Sequence, residues 1–210
     1  MISLSEILHT IAQALMIPCL IILLVLMAGA VWQIGDIVVE FIAERRKHKC
    51  DVPQLLRDVH TAGADGLADL IENSGLLRRQ KKALLELAES RGLPKDTLTA
   101  LAERLLATEE ARNACTTSIT DMIAKLGPMF GLLGTLIPLG PGIVALGQGD
   151  TVTLSESMNV AFDTTIAGVI SAAVASVISH IRKRWYNDDM VSLETLMEAV
   201  LEEVTSDVEG

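Results

Sequence analysis

Residues 127–135 read GPMFGLLGT, and residues 161–168 read AFDTTIAG. Both stretches lie inside long apolar blocks, yet they place Gly, Thr and Pro where a lipid-facing helix presents bulky apolar side chains. Small residues in membrane helices let two backbones approach closely. The two stretches therefore indicate helices that press against each other or line a polar path, and they favour a channel component over a simple membrane anchor.

The rest of the chain separates apolar from charged residues. Half of the 210 residues are hydrophobic and the mean hydropathy is +0.42, although the net charge is −10. A membrane-spanning helix needs about 20 apolar residues, and the three apolar blocks near 14–43, 119–147 and 157–181 are each long enough. The sequence predicts an all-α, polytopic membrane protein with three transmembrane helices and a helical cytoplasmic domain.

The predicted organisation has four parts. They are an N-terminal segment with the first transmembrane helix (1–43), a cytoplasmic helical domain (44–118), the second and third transmembrane helices (119–181) and a cytoplasmic C-terminal helix (182–210).

The basic residues predict the orientation. Four of them, Arg45, Arg46, Lys47 and Lys49, follow the first apolar block, and Arg182, Lys183 and Arg184 follow the third. Residues 1–14 and 147–158 contain neither Lys nor Arg. Because cytoplasmic loops are enriched in basic residues, we expect a multi-pass protein of the cell (inner) membrane with its N-terminus outside and its C-terminus in the cytoplasm.

Other kinds of chemistry find little support in the sequence. Cys19, Cys50 and Cys115 are far apart and form no CxxC pair, so we expect neither a disulfide framework nor a metal site. The acidic balance argues against nucleic acid as a partner. With no nucleophile–base pair and no phosphate-binding loop in the pattern, we expect a non-enzyme without a cofactor.

Several local patterns predict helix boundaries. Residues 2–13 have helical spacing and form either an interfacial helix or the first turns of the first span. An unbroken helix is expected from Lys95 to Leu126, and Pro138 and Pro141 are expected to kink or end the second span. Thr153 with Glu156 matches a capping box at the start of the third span.

The small residues recur at helical spacing, and so they have two interpretations. Gly127, Gly131 and Thr135 are four apart in the second span, and Thr165 and Gly168 begin a similar series in the third. Such a stripe is a packing surface more often than a pore. Threonine hydroxyls both donate and accept hydrogen bonds, so they can also hydrate a cation or relay a proton.

Two acidic residues lie within or near these spans. Asp163 is an ionisable residue inside a predicted span, which by default suggests a function. From Thr164 to Ile181 there are about 27 Å of helix, so Asp163 either takes part in ion movement or lies at the outer boundary within reach of water. Asp121 and Lys125 are spaced to form an ion pair on one helix.

These residues resemble those of a known family. PMFGLLGT at 128–135 is similar to the P-x-x-G-L-L-G-T segment of the MotA/TolQ/ExbB proton-channel family, and AFDTTIAG at 161–168 resembles its A-L-x-x-T-x-x-G segment. By motif the resemblance covers about residues 95–187. The sequence departs from the family in the Pro138–Pro141 segment and at Asp163, which is commonly apolar in the TolQ and ExbB branches.

The resemblance implies a function. Members of this family form a homopentamer around two copies of a single-span partner of the MotB/TolR/ExbD type, and ion flow drives mechanical work. It implies that Thr135 and Thr165 line the ion path. Asp163 is a further candidate because it is ionisable, not because of the resemblance. Gly131, Gly134 and Gly168 would allow close packing, and Pro128 would shape the second span. The alternative function is a non-conducting membrane scaffold that recruits cytoplasmic partners.

Overall fold

Six α-helices make up the described part of the chain. The computed structural model describes residues 4–42 and 51–209, and no strand occurs in those ranges. The helices are α1 (Leu4–Ala14), α2 (Met16–Glu40), α3 (Val52–Asn73), α4 (Arg78–Glu89), α5 (Lys95–Gly147) and α6 (Thr151–Glu209). The all-α prediction is confirmed.

Three helical stretches are long and apolar enough to cross a membrane. They are Thr10–Glu40, Lys95–Gly147 and Thr151–Ser206, so the prediction of three candidate spans is also confirmed. Only Leu15 separates α1 from α2. Its amide donates to the Ile11 carbonyl at 3.1 Å and its carbonyl accepts from the Cys19 amide at 3.0 Å. The helical hydrogen-bond pattern runs through this residue, which favours α1 as the first turns of the first span.

The chain divides into two compact units. The first unit comprises Met1–Ile37 and Thr117–Ile181. Within it, α2 packs against α5 and α6 through a small apolar cluster made of Leu26, Ala30, Ile123 and Ala175. The Cys19 thiol donates to the Phe130 carbonyl at 3.4 Å, and Gly29 lies against the side chain of Ile123. Residue numbers rise along α2 as they fall along α5, so these two helices are antiparallel.

The second unit comprises Val38–Thr116 and Arg182–Gly210. Apolar residues at helical spacing near the end of α6 are buried in the core of this unit, with Leu193, Leu196, Met197 and Val200 each 1% exposed. These side chains pack with buried apolar residues of α3, α4 and the start of α5, among them Val59, Leu67, Leu84, Leu87 and Leu98. The acidic C-terminal segment therefore completes this unit's own core.

An ion pair lies inside the second unit. Arg182 is buried, and its Nε lies 3.1 Å from Glu40 Oε2. The Tyr186 hydroxyl also hydrogen-bonds Glu40, and the rings of Phe41 and Trp185 stack with their centroids 6.0 Å apart. From the sequence, Arg182 belongs to a basic cluster that flanks a span, and Glu40 shows no sign of being its partner. The other basic cluster, residues 45–49, lies outside the described residues.

One of the two outcomes expected at Pro138 and Pro141, the end of the helix, does not occur. Neither residue ends α5, which continues to Gly147 with Pro128, Pro138 and Pro141 all inside it. Contact with α6 persists beyond the prolines, because a Cβ atom placed on Gly142 would lie 3.0 Å from Ser157 Cβ. Packing against a neighbouring helix offsets the hydrogen bonds that proline removes, as is usual in membrane helices.

The predicted start of α6 is also wrong. The helix begins at Thr151, and Asp150 makes the capping bonds: its Oδ1 accepts from the amides of Val152 and Thr153, each at 3.1 Å. Asp150 Oδ2 accepts from the Thr153 hydroxyl at 2.6 Å. Aspartate is as good an N-cap residue as serine or threonine, and here it lies three residues earlier than the residue that the capping-box pattern selected.

Candidate functional site

Glycines form the contact between α5 and α6. A Cβ atom placed on Gly168 would lie 2.5 Å from the Gly127 carbonyl oxygen and 2.8 Å from Gly131 Cα. A Cβ on Gly127 would lie 2.7 Å from the Gly168 carbonyl oxygen. These are backbone atoms, which cannot move aside as a side chain does. The two helices are thus as close at this level as their backbones allow, and only glycine fits at these positions.

The contact continues one turn further along α5. A Cβ atom on Gly134 would lie 2.7 Å from Thr164 Cβ, and Thr164 is 5% exposed. Its hydroxyl donates to the Ala161 carbonyl at 2.9 Å. Pro128, the remaining residue expected to shape α5, is half-buried beside Gly127. The sequence-predicted packing residues Gly131, Gly134 and Gly168 therefore lie in one helix–helix contact within a single chain.

Each of the two threonines expected to line an ion path follows a residue of this helix contact. Thr165 follows Thr164 on α6 and its Cα lies near Gly131, while Thr135 follows Gly134 on α5. Unlike Thr164, both Thr135 and Thr165 are only half-buried. The Thr135 hydroxyl donates to the Leu132 carbonyl at 2.7 Å, and the Thr165 hydroxyl donates to the Ala161 carbonyl at 3.0 Å.

This arrangement has a simple chemical consequence. A threonine hydroxyl has one donor hydrogen and two acceptor lone pairs. Because each donor is used by the residue's own helix, the lone pairs remain available to a cation or to a water molecule that donates. Thr135 and Thr165 thus present acceptor oxygens at the edge of the α5–α6 contact, whereas the oxygen of Thr164 is enclosed within it.

Asp163 lies elsewhere on α6. It is exposed in the single chain, between the exposed side chains of Phe162 and Ile166. Two residues along a helix correspond to a rotation of about 200°, so Asp163 and Thr165 are on nearly opposite sides of α6. The structure does not bring Asp163 together with the two threonines.

The structure also shows polar contacts that sequence analysis missed. The Ser179 hydroxyl hydrogen-bonds Asp121 across the α5–α6 pair, so Asp121 faces another helix. The only sequence signal was Asp121 itself, an acidic residue near the end of an apolar block.

At the opposite end of the α5–α6 pair, Asp150 lies in the connection between the two helices. The hydroxyl and the amide of Thr153 donate to its carboxylate and have the largest effect on the pKa of Asp150. The Val152 amide also donates and has a smaller effect. Together these hydrogen bonds lower the pKa of Asp150 from its ordinary value of 3.8. The carboxylate therefore stays charged while it caps α6, where a negative charge also interacts favourably with the helix dipole.

Comparison with known proteins gives one finding. The sequence model of the MotA/TolQ/ExbB proton channel family matches residues 70–195, which is more than half of the chain and includes every candidate residue discussed above. No curated protein matches the chain.

Proposed function

The chain belongs to the MotA/TolQ/ExbB proton channel family, and from that premise we propose that it is the ion-conducting subunit of a stator-like membrane complex. Protons cross the membrane through an assembly of several copies. Their flow does mechanical work through a single-span partner of the MotB/TolR/ExbD type. The family and the three apolar helices place the chain among multi-pass membrane proteins of the channel type.

The observation that most strongly supports conduction is the position of Thr135 and Thr165 beside the α5–α6 contact. Each is half-buried, and each hydroxyl donates within its own helix and keeps its acceptor lone pairs. Thr164, at 5% exposure, is instead enclosed in the helix contact. The proposal therefore rests on these two residues. Asp163 lies on a different face of α6 from Thr165, so we assign it no role beside Thr135 and Thr165.

A single chain cannot enclose such a path. The described spans expose large apolar side chains on several faces, including Leu132 and Leu136 on α5 and Val169 and Ile170 on α6. Lipid or other subunits must cover them. Following the family, we propose a homopentamer around the partner. In each copy, the side of the α5–α6 pair that carries Thr135 and Thr165 faces the centre.

We propose that this complex lies in the cytoplasmic membrane, with the N-terminus and the α5–α6 connection outside. The absence of Lys and Arg from residues 1–14 and 147–158 supports this orientation. The second unit, which contains the basic residues that follow the first and third apolar blocks, is then cytoplasmic.

A scaffold that conducts nothing is the second candidate. It is favoured by the glycine contact, since Gly127, Gly131 and Gly168 are fully accounted for by packing within one chain. Conduction adds a role only for the threonines, so an experiment that separates the two functions must change the hydroxyls and leave the packing intact.

Isosteric substitution makes that separation. Thr135→Val and Thr165→Val keep the shape of each side chain and remove its oxygen. Thr164→Val is the matched control, because the Thr164 hydroxyl donates to the same Ala161 carbonyl as Thr165 but lies buried in the helix contact. Proton flux into liposomes containing the chain and its partner is measured beside the yield of assembled complex.

The two functions predict different results. If the threonines line the path, both pore variants lose most of the flux and assemble normally, because valine keeps the side-chain shape and each hydroxyl bonds only within its own helix. The Thr164 variant keeps its flux. Equal flux in all four proteins would reject the pore-lining role, and a loss of flux that tracks loss of the complex would favour the scaffold.

A further inference from the structure

A charged groove lies between α4 and α5 in the second unit. Its volume is about 160 Å³, and most of the side chains that line it are exposed. Three of them are cations, Arg79 and Lys82 from α4 and Arg112 from α5, and two are carboxylates, Glu86 and Glu109. We call Arg79, Lys82 and Arg112 the basic groove. The whole chain has a net charge of −10, so this excess of cations is opposite in sign to the protein around it.

The cations of the basic groove are accessible. Arg79 and Lys82 are exposed, and neither has a carboxylate within ion-pair distance in the part of the chain that the structure describes. Arg112 pairs with Glu109 at 3.3 Å, yet its side chain stays 52% exposed. The first turn of α4 contains no acidic residue. Because cations near the start of a helix interact unfavourably with the helix dipole, stabilisation of α4 does not account for them.

A hydrogen bond holds the start of α4 beside the segment of α6 that follows the third apolar block. Gln80 Nε2 donates to the Asp189 carbonyl at 3.0 Å. Asp189 is four residues beyond Trp185, which is about 6 Å of helix. Trp185 follows the apolar block directly after its basic cluster and stacks on Phe41. Since tryptophan is enriched at membrane–water interfaces, the start of α4 is about one helical turn from the expected membrane surface.

The cation on α5 is close to the membrane as well. Arg112 is seven residues before the apolar block that begins near residue 119, which is about 10 Å of helix. Both distances are comparable with the Debye length, about 8 Å at physiological ionic strength. The three cations are therefore within electrostatic reach of charges on the membrane surface. With the orientation proposed above, that surface is the cytoplasmic leaflet, which carries anionic lipids.

We propose that the basic groove binds the headgroup of an anionic phospholipid such as phosphatidylglycerol. The arginine side chains can each donate two parallel hydrogen bonds to a phosphate group, and Lys82 adds a point charge. Thr108 also lines the groove, and its hydroxyl donates to the Arg104 carbonyl at 2.8 Å. Its lone pairs therefore remain for the hydroxyl groups of a glycerol headgroup. The proposal does not depend on conduction, because the groove is formed within one chain.

The test is native mass spectrometry of the purified full-length chain in neutral detergent, titrated with phosphatidylglycerol or with phosphatidylcholine. Wild type should prefer phosphatidylglycerol. One cation near an anionic surface contributes about fivefold in affinity, so Arg79→Gln and Lys82→Gln should each weaken phosphatidylglycerol binding about fivefold, and the double variant about 25-fold. Arg104→Gln is the matched control, because Arg104 is an exposed cation on α5 that does not line the groove. It should bind as wild type does.

A variant that gains affinity separates binding from damage to the fold. Glu86→Gln removes a carboxylate from the groove and should strengthen phosphatidylglycerol binding about fivefold. If Glu86→Gln weakens binding instead, the losses reflect damaged structure and the proposal is overturned.

Three other results would also overturn it. Wild type may bind both lipids equally, which would leave an acidic protein as the candidate for this groove. Binding may be unchanged in both Arg79→Gln and Lys82→Gln. Inorganic phosphate at millimolar concentration may displace the lipid, which would indicate a site for free anions. A chain that conducts protons but shows no preference for phosphatidylglycerol contradicts this proposal alone.

Discussion

Adding one methyl group at Gly168 should force α5 and α6 apart. The Cβ atom of Gly168→Ala would lie 2.5 Å from the Gly127 carbonyl oxygen, whereas ordinary contacts begin at 3.4 Å, so the backbones must separate by about 0.9 Å. The obstructing atoms belong to the main chain, and no rotamer change relieves the clash. Overpacking of this kind costs about 1–3 kcal/mol. For a chain of this length, each 1 kcal/mol lowers the unfolding temperature by about 2–4 °C.

The matched control for Gly168→Ala is Gly140→Ala. Gly140 also lies within the α5–α6 part of the chain, but a Cβ atom placed there has no neighbour within 4 Å. Since alanine is favoured over glycine in a helix by about 1 kcal/mol, the control should unfold at or above the wild-type temperature. The assay is thermal unfolding in lipid nanodiscs followed by circular dichroism. Equal unfolding temperatures for the two variants would refute the close backbone contact.

Three further predictions follow from the charged residues and the connection between the spans. Glu40→Gln removes the carboxylate charge that pairs with the buried Arg182, and we expect a loss of about 3 kcal/mol in the stability of the second unit, measured by urea titration. Because capping lowers the pKa of Asp150, its contribution is complete above the ordinary value of 3.8 and is lost as the pH falls through the lowered pKa. The stability difference between wild type and Asp150→Asn should therefore shrink in acid. In a chain without native cysteines, Gly149→Cys should react with an impermeant reagent added outside intact cells.

Each of these three predictions has a contradicting result. Unchanged urea stability of Glu40→Gln would show that the charge of Glu40 is not needed to stabilise the buried Arg182. A stability difference for Asp150→Asn that stays constant from neutral to acid pH would mean that the carboxylate charge does not take part in capping. Labelling of Gly149→Cys only after the cells are opened would reverse the proposed orientation.

The architecture could be predicted because its causes are local. The apolar blocks are long enough to span a membrane, and Gly92 and Pro94 mark the break between α4 and α5. The stripe from Leu193 to Val204 has helical period, and its burial in the second unit follows from that pattern. Small residues four apart also occur where α5 and α6 meet, since backbone approach at Gly131 and Gly168 needs the absence of Cβ atoms.

The features that were missed depend on tertiary partners. Pro138 and Pro141 break helices by local preference, but contact with α6 extends past them to Gly142. Nothing near Asp121 in the sequence indicates that Ser179 will hydrogen-bond it across 58 residues. The burial of Arg182 against Glu40 is similarly a product of two distant segments meeting. Spacing along one helix predicts which residues share a face, but it does not identify what that face meets.

The central claim is that assemblies of this chain conduct protons, and proton uptake by liposomes tests it most directly. The chain is purified with its single-span partner, reconstituted, and exposed to a potassium-diffusion potential while a pH-sensitive dye inside reports acidification. We expect uptake above that of empty liposomes, with most of the difference lost in Thr135→Val and Thr165→Val. An assembled, partner-bound complex whose liposomes remain as proton-tight as empty ones would contradict the claim and leave the chain as a membrane scaffold.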